Sequence, residues 1–372
     1  MKSERESNIE LLRIFSMLMI VCYHIYAHSV YPQLTDVNLI RESESGLFSL
    51  PVFSKKMLIL ATFAPLGKIG DVIFFMISGY FLVAKGNNID LAKTTKKLLS
   101  QQLFAALVLT VSSTVLWKIF SDTYIYLIDF SIFNSMCWFI GFYLVLIIIA
   151  KLVLNKYLNK FDLKQYTTFL LVIFALSQFS WPVSFMKDIS DGFEVLLVGI
   201  FSFALGGAIK RFNLFSKIKI PVLIITIILA FSLVYLSTYN TINLKIENFW
   251  NNPVGGIFIQ TIPQFEDNNI LCIIVGITIF EIFRRIRIKS NRVINFIGSS
   301  TLMIYILHDN LLVRNIWKTQ NWITLLYERP FMYVAKHIGW TFMTFAIGLL
   351  FYVIFCGVSK ITNRLYRGMS QK

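Results

Sequence analysis

Arg13 and His24 are the two residues whose types and spacing point most directly to chemistry. Ten residues separate them inside one apolar segment. Eleven helical steps of about 100° bring both side chains to one helix face, roughly 16 Å apart along the axis. An imidazole is the usual general base near neutral pH, and a guanidinium binds anions. Since a fixed charge is costly in lipid, this face is expected to line a cavity. Glu10, three residues before Arg13, is expected to pair with it or to bind substrate.

Two further apolar segments carry polar side chains. LGKIGDVIFFMISGYFLV places an acid, Asp71, inside a hydrophobic run and Ser78 seven residues later. IGSSTLMIYILHDN holds Tyr305 and His308. A small-residue packing face, or histidines that hydrogen-bond only for packing, would be structural explanations. A buried acid and a second histidine favour a substrate site instead.

Lysines cluster soon after the segment that holds Asp71 and Ser78, at Lys93, Lys96 and Lys97. Basic cytoplasmic loops occur in most membrane proteins, so topology alone could explain them. The functional interpretation is a binding site for the phosphates of a cytosolic, nucleotide-like molecule.

The composition identifies the elements that must position these residues. The chain has 372 residues, of which 56% are hydrophobic and only 15% charged, and it contains 35 Phe. This excludes a disordered chain, a fibrous repeat and an ordinary cytosolic enzyme, and predicts an all-α integral membrane protein. The formal charge of +15 is explained by basic cytoplasmic loops, so no nucleic-acid partner is expected.

Apolar length and charge predict the topology. Ten segments are long enough to span a bilayer, at about residues 10–31, 58–84, 98–119, 137–155, 167–184, 193–209, 220–237, 269–284, 293–312 and 339–358. Lys and Arg concentrate on alternate loops, which places both termini in the cytoplasm. We expect one membrane domain over 1–372, without an appended soluble domain, in the cell membrane.

The seven tryptophans all fall on the outer half in this topology. Interfacial anchoring in the lipid is the general explanation. The alternative is an outward site at which flat rings, Trp138 among them, stack on a sugar.

Several chemistries lack their sequence patterns. There is no GxxxxGK[ST] loop, no GxSxG elbow, no HExxH and no clustered Cys/His motif. ATP hydrolysis, serine hydrolase chemistry and a metal site are therefore not predicted.

Four motifs in order resemble the membrane acyltransferase 3 family. NIELLRIFSMLMIVCYH resembles its first-helix signature, an Arg followed by ten residues and a His, and IGDVIFFMISGYFLV resembles its second-helix motif. CWFIGFYLVLIIIA and IGSSTLMIYILHDN are similar to a Trp-led helix start and to a late motif ending in His. Where the family often has an Arg-x-x-x-Arg-like motif after the second helix, this chain has Lys93 and Lys97.

The resemblance implies an O-acyltransferase. The donor would be cytosolic acyl-CoA, with acetyl-CoA the usual one, and the acceptor a hydroxyl of an envelope or exported polysaccharide or its lipid-linked precursor. His24 would be the catalytic histidine, Arg13 its motif partner, and His308 and Ser78 would line the site. A homo-oligomer or separate polysaccharide-assembly proteins would be partners. A transporter or glycan flippase or polymerase, using Arg13, Asp71 and the histidines for substrate or protons, is the alternative.

Overall fold

The computed structural model describes residues 6–35, 50–119, 138–178, 187–251 and 261–369. Every regular element in these ranges is a helix. In chain order the α-helices are α1 (Ser7–Ile25), α2 (Tyr31–Thr35), α3 (Leu50–Leu60), α4 (Leu66–Leu82), α5 (Leu91–Ile119), α6 (Trp138–Ile149), α7 (Asn155–Leu158), α8 (Leu163–Gln178), α9 (Lys187–Phe212), α10 (Ile220–Asn251), α11 (Ile270–Arg285), α12 (Arg292–His308), α13 (Leu311–Lys318), α14 (Trp322–Glu328) and α15 (Pro330–Met369). A π-helical turn, Tyr26–Val30, joins α1 to α2.

Seven helical stretches in the described ranges are long and apolar enough to cross a membrane, or eight if the bent pair α12 and α13 forms one span. The seven are Ser7–Thr35, Leu66–Gly86, Leu91–Ile119, Trp138–Leu158, Gly192–Phe212, Ile220–Lys245 and Pro330–Thr362. The protein is therefore a multi-pass helical membrane protein. The remaining two predicted spans, 167–184 and 269–284, correspond to α8 and α11, whose described lengths are 16 residues each.

Two predicted spans are broken where the sequence contains helix-ending signals. The expected 58–84 span is divided in two, because a turn at 61–65 separates α3 from α4. Pro65 stands at the N-cap of α4, where its missing amide and fixed φ allow a helix to start but not to continue. The expected 293–312 helix ends at His308, and α13 leaves at 74°. The Asn310 side chain caps α13 by accepting from Val313 N at 3.1 Å.

Three of the spans form the interior of the bundle. About 61% of the apolar window is buried in the first and second spans, and 67% in Gly192–Phe212, whereas the other four bury 17–28%. α1 packs against α4, α11, α12 and α15, and α4 packs against α9 and α11. The helices that carry Arg13, His24 and Asp71 are thus shielded from lipid by their neighbours.

Glycines allow α4 and α9 to lie unusually close. A methyl group at Gly79 would overlap the backbone of Phe203, and one at Gly206 would overlap the backbone of Met76. Small residues at a helix crossing are the usual means of close packing in membranes, where van der Waals contact replaces the hydrophobic effect. This contact fixes α4 against α9.

Candidate functional site

His24 and His308 form a hydrogen-bonded pair between α1 and α12. The Nδ1 of His24 lies 2.7 Å from Nε2 of His308, and the rings stack with centroids 4.9 Å apart. The Nδ1 of His308 lies 3.0 Å from the Ile304 carbonyl oxygen, which can only accept. His308 therefore donates from Nδ1 and accepts at Nε2, so His24 donates from its own Nδ1. The remaining nitrogen of His24, Nε2, has a free lone pair and no hydrogen-bond partner among the described residues.

A second chain of polar contacts runs beside this pair. The ring of His28 lies 5.2 Å from that of His24, centroid to centroid, and its Nε2 is 3.5 Å from Asp309 Oδ1. Arg314 donates from Nε to the same Asp309 oxygen at 2.9 Å. His28 lies within the π-helical turn, a feature that often marks functional sites.

These side chains face an open cavity of about 690 Å³, called here the histidine cavity. Its lining combines the ends of five charged side chains with two histidines and three aromatic rings. The lining residues are Tyr23, His24, His28, Lys68, Asp71, Trp138, Phe142, Gly192, Val195, Asp267, Asp309 and Arg314. Lys68 pairs with Asp267 at 2.7 Å, so two ion pairs and one further acid, Asp71, line its wall.

A second cavity of about 360 Å³ contains the cationic end of α1 and is called here the basic cavity. Three basic residues lie at its rim and apolar or aromatic side chains form most of its wall. The lining residues are Arg13, Met17, Ile20, Asp71, Phe74, Ser78, Leu82, Lys93, Thr94, Lys97, Leu98, Phe139, Ile140, Tyr143, Ile147, Gly298, Ser299, Thr301, Leu302 and Tyr305.

Asp71 lines both cavities. It follows the start of α4 by five residues, so both cavities extend to the first turns of that helix. Of the residues that line the two cavities, it is the one they share.

Arg13 is held by Glu10. Its Nη1 donates to both carboxylate oxygens, at 3.0 and 2.8 Å. Glu10 is 4% exposed and lies outside both lining sets, so its contact with Arg13 is positional. A side chain at Gly298 would overlap the Glu10 carboxylate, so glycine there leaves room for it. Of the two roles that the sequence suggested for Glu10, pairing with Arg13 is the one that its contacts show.

The other predicted site residues divide between the two cavities. Ser78 and Tyr305 line the basic cavity, and Trp138 lines the histidine cavity. The Ser78 hydroxyl donates to the Phe74 carbonyl within α4 and lies apart from His24. Lys93 and Lys97 reach the basic cavity, whereas Lys96 is exposed and lines neither cavity.

The tryptophans do not form one surface. Trp317 and Trp322 are fully buried, and the indole nitrogen of Trp322 donates to the Trp317 carbonyl at 2.8 Å. These two are core residues, neither lipid anchors nor sugar platforms. Trp138 lines the histidine cavity. Trp181 lies outside the described residues.

Comparison with protein families shows the family to which this chain belongs. The family model for an acyltransferase domain, Acyl_transf_3, matches residues 6–362. The chain belongs to the acyltransferase 3 family. It is thus an acyltransferase of the O-acyltransferase type. No curated protein and no solved structure matches the chain.

The acyltransferase has site residues that the motifs did not indicate. Asp267 and Arg314 line the histidine cavity but lie outside the motifs, near the ends of apolar segments, where charge is expected for topology alone. Their partners, Lys68 and Asp309, lie inside the segments LGKIGDVIFFMISGYFLV and IGSSTLMIYILHDN. The two ion pairs join residues from different helices or connecting segments. Lys68 and Asp267 are 199 residues apart, so only the fold assembles this pair and sequence spacing gives no sign of it, whereas Asp309 and Arg314 are five residues apart.

Proposed function

We propose that the enzyme transfers an acyl group, with acetyl the expected one, from cytosolic acyl-CoA to a hydroxyl of an envelope or exported polysaccharide or its lipid-linked precursor. The observation that carries the proposal is that Asp71 lines both the basic cavity and the histidine cavity. Two substrates of opposite character, one polyanionic and one rich in hydroxyls, would approach from opposite ends of one passage.

The donor occupies the basic cavity. CoA phosphates are anions, and Arg13, Lys93 and Lys97 lie at the rim of this cavity. The wall beyond them is apolar, with Met17 and Phe74 among its residues, which suits the extended pantetheine arm. The phosphates remain at the rim because entry into an apolar passage would cost them their hydration.

His24 acts as the general base. Its Nε2 carries the unshared lone pair, and its Nδ1–H is held by His308, so the reactive nitrogen is fixed towards the cavity. Nε2 accepts the proton of the acceptor hydroxyl while the hydroxyl oxygen attacks the thioester carbonyl. The C–S bond then breaks, and the CoA sulfur leaves with the proton that His24 had accepted. His308 is a positioning residue in this scheme.

The acceptor occupies the histidine cavity. Asp267 and Asp309 offer hydrogen-bond acceptors, Lys68 and Arg314 offer donors, and Trp138 offers a flat ring. Alternating donors, acceptors and aromatic faces suit a polyhydroxylated sugar ring. Asp71, which lines both cavities, is placed to hold either the attacking hydroxyl or the donor's amide.

Direct transfer is favoured over an acyl-enzyme. A serine nucleophile requires an adjacent base. The Ser78 hydroxyl donates to the Phe74 carbonyl oxygen 3.0 Å away, and no base among the described residues hydrogen-bonds to it. The acyl group therefore passes from the thioester to the acceptor without residing on the chain.

Ten crossings with both termini in the cytoplasm complete the proposal. α8 and α11, at 16 residues, are about 24 Å long, somewhat short of the roughly 30 Å hydrocarbon layer. They would cross with local thinning of the bilayer or as part of longer segments. This topology places the basic cavity on the cytoplasmic side and the histidine cavity towards the outside.

The test uses sealed vesicles of known orientation that contain purified enzyme. Labelled acyl-CoA on the cytoplasmic face should acylate a glycan enclosed on the opposite face, and the His24→Gln enzyme should not do so. Acylation only when donor and glycan share the cytoplasmic face would contradict the outward acceptor site. A transporter, the alternative function, would carry glycan across without any acyl-CoA-dependent label.

A further inference from the structure

The histidine cavity brings together three side chains of the types that commonly ligate metal ions. One nitrogen from each of His24 and His28 and one oxygen of Asp309 all lie within 4.8 Å of one another. Tetrahedral Zn²⁺ has bonds of roughly 2.0–2.2 Å, which places its ligand atoms about 3.3–3.6 Å apart. His28 Nε2 and Asp309 Oδ1 are already at that spacing, 3.5 Å. The His24 nitrogen lies within 4.8 Å of both atoms, so the three ligand atoms must move somewhat closer together when the ion binds.

The hydrogen bonds determine which nitrogen of His24 is available. Its Nδ1 is committed to His308, so Nε2 is the nitrogen that a metal would take. His308 in turn donates to the Ile304 carbonyl, and this arrangement is the outer-shell support that metal-binding histidines usually have. The cavity beyond leaves room for a water molecule as the fourth ligand.

We propose that Zn²⁺, or a similar late transition-metal ion, binds at His24, His28 and Asp309 and inhibits the enzyme. The ion binds the lone pair of His24 Nε2, with which His24 would otherwise accept the proton. It also occupies the space of the acceptor hydroxyl. The acyl transfer itself stays metal-free. The inhibition rests on the proposed role of His24, whereas the binding does not.

The surrounding charges set how tightly the ion is held. Asp71 and Asp267 face the same cavity as anions, and Lys68 and Arg314 face it as cations. Arg314 competes directly, because its Nε donates to the Asp309 oxygen at 2.9 Å. The site therefore differs from a dedicated structural zinc centre, in which ligands are not shared with a fixed cation. Removal of the Arg314 charge should strengthen metal binding, an effect opposite to that of ligand loss.

Binding is measured on the intact, tag-free protein in detergent. Co²⁺ reports tetrahedral nitrogen and oxygen ligation through its visible absorption, and Zn²⁺ should displace it. His28→Ala and Asp309→Asn should each weaken Co²⁺ binding by roughly tenfold or more. Arg314→Gln should strengthen it, and Mg²⁺, a hard ion that prefers oxygen ligands, should not compete. Equal Co²⁺ binding in the wild type and in both ligand variants would overturn the site.

Inhibition is measured on the same preparations. Each variant's acyl transfer is expressed relative to its own rate in chelator, so that differences in basal activity cancel. Zn²⁺ should inhibit the wild type at the concentration at which it displaces Co²⁺, and should inhibit His28→Ala only at higher concentrations. Metal binding at the site without inhibition would overturn the blocking of His24 and would contradict its role as base. Failure of both measurements would overturn the metal site alone and leave the acyl transfer as proposed.

Discussion

The side chains of His24 and His308 share a hydrogen bond of 2.7 Å, although 284 residues separate them in the chain. Because the Ile304 carbonyl fixes the proton on Nδ1 of His308, this bond also fixes which nitrogen of His24 is free. The tautomer of the base is therefore set by backbone geometry on α12. Such second contacts commonly matter nearly as much as the catalytic group that they orient.

Replacement of His308 should show whether this residue orients His24 or only fills space between the helices. The Gln amide oxygen in His308→Gln can still accept from Nδ1 of His24, whereas His308→Met fills the space with a thioether sulfur that accepts only weakly. We expect the Met enzyme to lose roughly 10–100-fold in kcat with its KM for acyl-CoA unchanged. The Gln enzyme should retain most of the rate. Equal losses in both variants would indicate a packing role alone.

Replacement of His24 should remove the chemical step. The His24→Gln enzyme should lose roughly 10²–10⁴ in kcat, the usual contribution of a positioned general base. Binding of acyl-CoA, measured directly by titration, should be little changed because the site proposed for the donor phosphates is the basic cavity, which His24 does not line. A folded, membrane-inserted variant with a near wild-type rate would exclude His24 as the base.

Much of this architecture was accessible from the sequence. The apolar composition predicted a helical membrane protein, and the resemblance carried by Arg13, His24 and the later motifs predicted the family; both predictions are confirmed. Motif recognition works here because the chemistry constrains residues that are near each other on one helix.

The remaining features depend on tertiary contacts that spacing does not encode. His24 and His308 could be placed at similar depth, but a hydrogen bond and its direction require the packing of α1 on α12. The burial of Trp317 and Trp322 was not foreseen, because an aromatic residue near a membrane boundary suits an anchor and a core equally. Two predicted spans, 58–84 and 293–312, differ from the observed helices because a new helix begins beside Pro65 in one and at Asn310 in the other.

The lysines after α4 offer a test with an internal control. Lys93 and Lys97 line the basic cavity and Lys96 does not, although all three are exposed and carry the same charge. The Lys93→Gln and Lys97→Gln double variant should raise KM for acyl-CoA and leave KM for the acceptor unchanged. Lys96→Gln removes charge from the same end of α5 and should leave both values near wild type. Equal effects of the double variant and of Lys96→Gln would mean that the positive charge at this helix end serves topology.

The contact between α4 and α9 should be intolerant of even one methyl group. Gly79→Ala would overlap the Phe203 backbone, and overpacking of this kind costs about 1–3 kcal/mol. The matched control is Gly339→Ala in α15, where an added Cβ meets nothing within 4 Å. That change should be neutral or stabilising, by roughly 0.5–1 kcal/mol, because alanine favours a helix interior. Thermal unfolding in detergent measures both, and a Gly79→Ala protein as stable as the control would contradict the close crossing.

Ser78 allows the passage itself to be tested separately from the chemistry. Its hydroxyl donates to the Phe74 carbonyl 3.0 Å away on the same helix and lines the basic cavity. If transfer is direct, Ser78→Ala removes nothing that the reaction uses, and kcat should stay close to wild type.

Ser78→Phe instead projects a ring into a cavity of about 360 Å³ and should obstruct the thioester arm. We expect the Phe enzyme to retain its affinity for free CoA, whose phosphates bind at the rim, and to lose acyl transfer. Loss of activity in the Ala enzyme, together with an acyl group trapped on the wild-type chain, would instead make Ser78 a nucleophile. Full activity in the Phe enzyme would mean that the donor reaches His24 by another route.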